Sequence, residues 1–144
     1  LVGHGLGGNV ALLTAGLPLP PSFVVTLAAH GQPGSRLLID EQVHQLHAAA
    51  AGNAEVEAAI RRQHALLDAI QNTPDTPQTR VLVANILRQG NAGLDSLAAV
   101  AQAAQLTSPA YRNYLTFDPL AGLDKVRCPV LLLHGTADLN VAPE

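Results

Sequence analysis

The stretch Gly3-His4-Gly5-Leu6-Gly7-Gly8 has the spacing of a nucleophile elbow, Gly-x-Ser-x-Gly, with glycine where that motif carries its serine. In an elbow a strand turns sharply into a helix, and the central side chain is presented on a strained backbone with small residues beside it. Such a turn serves acyl transfer. A hydroxyl attacks a carbonyl, an imidazole takes the proton, a carboxylate steadies the imidazolium, and backbone N–H groups hold the oxyanion. Gly5 keeps the turn and removes the hydroxyl. A second chemical group lies far along the chain. His134-Gly135-Thr136-Ala137-Asp138 follows the apolar run Val130-Leu131-Leu132-Leu133, so an acid sits in the loop after a strand, where open parallel sheets collect ligands.

The elements that must position these groups follow from periodicity and punctuation. Asn9–Ala15 can form the helix after the elbow, Leu17-Pro18-Leu19-Pro20-Pro21 ends it, and Phe23–Ala28 reads as a buried strand. Ser35 is expected to cap a helix running to about Ala51. Asn53 is expected to cap the next, with Glu55 and Glu57 in its first turn and an apolar face of Val56, Ile60, Leu67 and Ile70. Thr73-Pro74-Asp75-Thr76-Pro77 stops that helix, and two more span Gln78–Arg88 and Leu94–Gln105, with a short turn at Pro109–Tyr114. Cys128-Pro129 opens the strand Val130–Leu133, whose four consecutive apolar residues predict a strand buried on both faces of a parallel sheet. Cys128 itself reads as a small buried hydrophobe.

Elbow, helix, strand, helical insertion and Leu131-Leu132-Leu133-His134-Gly135-Thr136-Ala137-Asp138, in that order, resemble the α/β-hydrolase family, specifically esterase and peptidase-like members with a helical cap. Ser108-Pro109-Ala110-Tyr111-Arg112, Phe117-Asp118-Pro119 and Val126-Arg127-Cys128-Pro129-Val130 are similar to the cap-to-core return of bacterial esterases in that family. The resemblance covers the second half of the fold. It implies a partial α/β-hydrolase fold with core segments at 1–34 and 117–144 and a helical cap at 35–116. The cap is expected to lie over the site and select acyl and alcohol groups.

By the same resemblance, Gly5 occupies the nucleophile position, the backbone N–H of Leu6 is an oxyanion donor, and Asp138 is the acid. The family's histidine follows the acid, and the chain ends at Glu144 with no histidine after Asp138. The implied function is hydrolysis of carboxylic ester or similar acyl bonds, with this chain inactive because Gly5 replaces serine and the catalytic histidine is absent. An alternative is a non-catalytic ligand-binding or scaffold member of the fold. Gly5 and Asp138 are expected to border one pocket from neighbouring strand tips.

Other readings of the same residues stand beside this one. The glycines could simply allow tight helix–strand packing, and Asp138 could be a turn aspartate bonding its own backbone. Gly3, Gly5 and Gly8 also satisfy Gly-x-Gly-x-x-Gly, a dinucleotide fingerprint, but the required acid at the end of the second strand is missing; the first acid is Asp40. Asp40, His44 and His47 recur at helical spacing and could face a metal, yet a solvated helix face accounts for them. No metal or cofactor is therefore expected. His4 and His134 flank the site and are assigned to packing and hydrogen bonding; His30 and His64 have no partner legible in the sequence.

Composition bounds the remainder. Hydrophobic residues make up 48% and charged residues 13% of 144, well below the usual charged fraction of about 25%, so much of the surface is expected to face neighbours. Methionine is absent, and the opening Leu1-Val2 resembles the tail of a strand, so the chain is expected to be a piece that needs missing N-terminal strands or a partner chain. A net charge of −3 with 3% aromatics supplies neither a basic stripe nor stacking residues for nucleic acid. Apolar runs stop short of the ~20 residues of a membrane span. A soluble protein of unassigned compartment is expected, with a small ester-like molecule as the ligand of the intact parent.

Overall fold

The computed structural model describes residues 1–141 and is mixed α/β, with a three-stranded parallel sheet and six helices among the described residues. The order is β1 (Val2–His4), α1 (Leu6–Ala15), β2 (Val24–Leu27), α2 (Gly34–Ala48), α3 (Asn53–Gln71), α4 (Pro77–Gly90), α5 (Ser96–Leu106), α6 (Pro109–Thr116) and β3 (Val130–Leu133). Two compact units result: Leu1–Pro33 together with the chain from Asp118 onward, and Gly34–Phe117. None of the helices described is long and apolar enough to cross a membrane.

In the sheet unit β2 is central, pairing in parallel with β1 on one side and β3 on the other. The register aligns His4 with Leu27 and Leu27 with Leu133, so all three strands end level. Gly5 N–H continues the ladder to Leu27 O at 2.9 Å, and Ala28 N–H to Leu133 O at 2.8 Å. The elbow and the Asp138 loop are thus not on neighbouring strand tips as expected; β2 stands between them. The chain adds β2 beside β1 through α1 and then returns after residue 117 to the other edge of β2.

α1 packs Ala11, Leu12 and Ala15 against Val24, with Leu123, Val126 and Cys128 at the margin. Small alanines let the helix approach the sheet closely. Cys128 is half-buried rather than buried. β3 departs further from expectation. It pairs in parallel, but Leu131 and Leu132 remain 52% and 67% exposed. An apolar run records a capacity for burial; the covering layer that would use it is absent among the described residues.

The helical unit closes around Leu67, Ile70, Val83, Ala99, Ala103 and Leu115. Ala99 and Ala103 are fully buried, so α4 and α5 pack across small residues. Three helix starts have side-chain caps that satisfy otherwise orphaned N–H groups: Thr76 accepts from Thr79 N–H, Asp95 from Ala98 N–H, and Ser108 from Tyr111 N–H. The expected Asn53 cap does not form. Gly52 holds the cap position without a side-chain bond, and Asn53 is the first helical residue. Arg112 of α6 ties two distant loops together, donating from Nε to Thr107 O at 2.9 Å and from Nη1 to Thr73 O at 2.8 Å.

Candidate functional site

At the C-terminal ends of the strands, the β1–α1 turn is built from glycines with different duties. Gly5 has φ 54° and ψ −128°, a region of backbone space that residues with a Cβ enter only at a cost of about 1–3 kcal/mol. A Cβ on Gly3 would lie 2.2 Å from Gly7 O and 2.6 Å from Gly8 N, so only glycine permits the helix to fold back on the strand. A Cβ on Gly8 would meet the Ala29 Cβ at 2.9 Å. Gly7, the last residue of the five-residue pattern, has open space around it. The demand for a small residue falls on Gly3 and Gly8, not on Gly7.

Leu6 is the first residue of α1, so its N–H belongs to the opening turn that a helix leaves without an intrahelical acceptor. Nothing acidic precedes it to consume that donor: the first turn carries no acidic side chain.

Beyond β3, Asp138 does two things at once. Its Oδ1 accepts the N–H groups of Asn140 at 2.9 Å and Val141 at 3.0 Å, which is the turn role. Its Oδ2 lies 3.9 Å from His134 Nε2. The backbone bonds from Val141 and Asn140, followed by the His134 and His4 imidazoles, hold its carboxyl below the ordinary carboxylate range. The group is an ionised acceptor near neutral pH. His134 Nε2 also sits 2.5 Å from Val141 O, so this imidazole is occupied in shaping the acid loop.

His30, for which the sequence offered no partner, is the residue the structure adds. Buried Asn9 of α1 accepts from His30 N–H at 3.0 Å and donates to His30 O at 2.8 Å. This two-way amide bond fixes the loop after β2 against the elbow helix. A Cβ on Gly5 would lie 3.8 Å from His30 Nε2. Burial lowers the affinity of this imidazole for a proton, which leaves it neutral near pH 7. Its only sequence signal is its place just past a strand end, the same kind of place that Asp138 occupies.

A cavity of about 260 Å³ within the sheet unit is lined by Thr26, His30 and His134 together with Leu12, Leu120 and Leu133, among others. It is apolar with two imidazoles, the kind of lining that suits a small, weakly polar molecule. Comparison with protein-family models, with curated proteins and with solved structures finds no match. The strand-tip geometry is therefore the ground for any functional reading.

The remaining sequence candidates lie elsewhere. Asp40 pairs with Arg36 at 3.1 Å on the surface of α2. Among the described residues no group of three His, Cys, Asp or Glu side chains is placed to hold a metal, the trio of Asp40, His44 and His47 included. The helical unit has a separate cleft of about 280 Å³ between α2 and α3, lined by Arg36, His64 and Asp68 among others.

Proposed function

We propose that this chain carries the elbow and acid-loop portion of an α/β-hydrolase-type site, and that in its present form it binds a small ester-like ligand without cleaving it. The observation that carries this reading is the backbone of Gly5, φ 54° and ψ −128° directly between a strand and a helix. A glycine-rich turn used only for close packing needs no such presentation of its central residue. Supporting it are the ionised Asp138 in the loop after a parallel strand and the Leu6 N–H at the helix start.

In the complete chemistry a hydroxyl at position 5 adds to the ester carbonyl, the oxyanion forms against backbone N–H groups, and an imidazole moves the proton to the leaving alkoxide. Gly5 supplies no nucleophile. Loss of the serine in such a triad lowers kcat by about six orders of magnitude, so binding is what is left. Titration of the labelled protein with p-nitrophenyl butyrate is expected to perturb the amide signals of Gly5–Gly8, His30 and His134, with no release of p-nitrophenol above the uncatalysed rate. Catalytic release, or perturbation confined to other segments, refutes the reading.

A further inference from the structure

In the helical unit α2 and α3 pack side by side. Arg36, Ile39 and Asp40 recur at helical spacing on the first, and His64, Leu67, Asp68 and Gln71 on the second. Positions where two helices meet are ordinarily apolar. Ile39 and Leu67 keep that character, and both belong to the core of this unit. The same two residues also line the cleft of about 280 Å³, together with Arg36 from α2 and Asp68 from α3.

A cation and an anion thus border one small cavity without neutralising each other. Among the described residues no ion pair joins Arg36 to Asp68; each is held by its own helix instead. Arg36 Nε donates to Asp40 Oδ2 at 3.1 Å, which leaves the two terminal nitrogens of the guanidinium, groups whose planar geometry matches a carboxylate. Asp68 Oδ1 accepts from Asn72 Nδ2 at 2.6 Å, which leaves Oδ2. Asp40 is not part of the lining, so the carboxylate that orients the guanidinium does not fill the cleft.

We propose that this cleft binds a small aliphatic amino acid. The ligand's carboxylate bonds the free end of the Arg36 guanidinium, its ammonium bonds Asp68 Oδ2, and its side chain lies against Ile39 and Leu67. Three features select that class. Two groups of opposite charge in one cavity match a molecule that carries both charges, whereas a singly charged molecule satisfies one of them. Each group is already oriented by a neighbour four residues along its helix, which lowers the ordering cost of binding. The apolar share of the lining suits an aliphatic side chain, and a volume just under the usual ligand-pocket range of about 300–1,000 Å³ restricts the ligand to a small one. No residue of the sheet unit takes part, so this site does not depend on the reading of the elbow.

Three probes with one carbon skeleton test the assignment on the full chain. L-Leucine carries both charges, 4-methylpentanoate lacks the ammonium, and 3-methylbutylamine lacks the carboxylate. In amide NMR titrations leucine is expected to perturb residues 35–39 and 64–72. It is expected to bind about fivefold more tightly than either analogue, the upper range for an ion pair at a partly exposed site. Leucine affinity equal to that of either analogue overturns the assignment, as does perturbation confined to other residues or none at all. This comparison needs no substitution.

Two variants then locate the charges. Arg36→Gln is expected to weaken leucine about fivefold and to leave 3-methylbutylamine unchanged; Asp68→Asn is expected to weaken leucine to the same extent and to leave 4-methylpentanoate unchanged. Both side chains are exposed, so neither change disturbs the core of the unit. A variant that weakens leucine and its matched analogue equally overturns the assignment.

Discussion

Gly3→Ala and Gly7→Ala make a paired perturbation that separates the motif as a pattern from the turn as a physical object. The five-residue pattern treats both glycines alike, whereas the structure does not. A methyl at Gly3 would stand 2.2 Å from one backbone oxygen and 2.6 Å from a backbone nitrogen, with no flexible side chain to yield. Overpacking of this kind costs about 1–3 kcal/mol and sometimes more, and a clash with the Gly7–Gly8 backbone, which cannot swing aside as a side chain would, points to the upper end, about 3 kcal/mol. A methyl at Gly7 meets nothing within 4 Å. Since Gly7 is the second residue of α1, alanine there gains up to about 1 kcal/mol from the reduced freedom of the unfolded chain.

Helical signal is dominated by the other unit, so the assay is amide hydrogen exchange on peptides that cover β1, α1 and β2. Protection there is expected to fall about 100-fold in Gly3→Ala and to hold or rise up to about fivefold in Gly7→Ala. Equal effects of the two substitutions would mean that the turn is not the one described and would remove the basis for placing position 5 at a site.

Two further outcomes follow from the same physics. Arg112→Met keeps the aliphatic stem but takes a charged donor from Thr73 O and Thr107 O; the helical unit is expected to lose about 2–4 kcal/mol in urea unfolding followed by far-ultraviolet circular dichroism, and a loss below about 0.5 kcal/mol contradicts the clamp. The His30 ring signal, assigned by its disappearance in His30→Gln, is expected to titrate below the ordinary imidazole value of 6.5. Because the folded state resists protonation there, the unfolded chain binds more protons as the pH drops below that value, and the sheet unit loses stability on acidification until the folded pKa is passed. A midpoint at or above 6.5 shows that burial does not govern this ring.

Much of the arrangement was legible beforehand because local signals and tertiary demands agreed. The apolar stretches at Phe23–Ala28 and Val130–Leu133 became the parallel strands β2 and β3, and the proline cluster at 73–77 separated two helices, with Thr76 capping the second. Where the signals failed, the missing information was non-local. Nothing around His30 announces Asn9, which lies 21 residues away, and the exposure of Leu132 depends on what packs upon β3 rather than on β3 itself. The roles of Gly7 and Gly8 could not be told apart by spacing, since what distinguishes them is the Ala29 methyl on another loop. Asn53 failed as a cap because the helix started one residue earlier than its side chain required.

The backbone at position 5 has a consequence for how the chain can change over evolutionary time. Glycine occupies its torsion angles at little cost, while any side chain there adds strain of about 1–3 kcal/mol, a sizeable part of what keeps a small domain folded. Selection for a well-folded product alone therefore favours glycine over any residue with a side chain at this position. A glycine is then the more durable occupant of this turn, and any larger residue there would call for compensating mutations elsewhere.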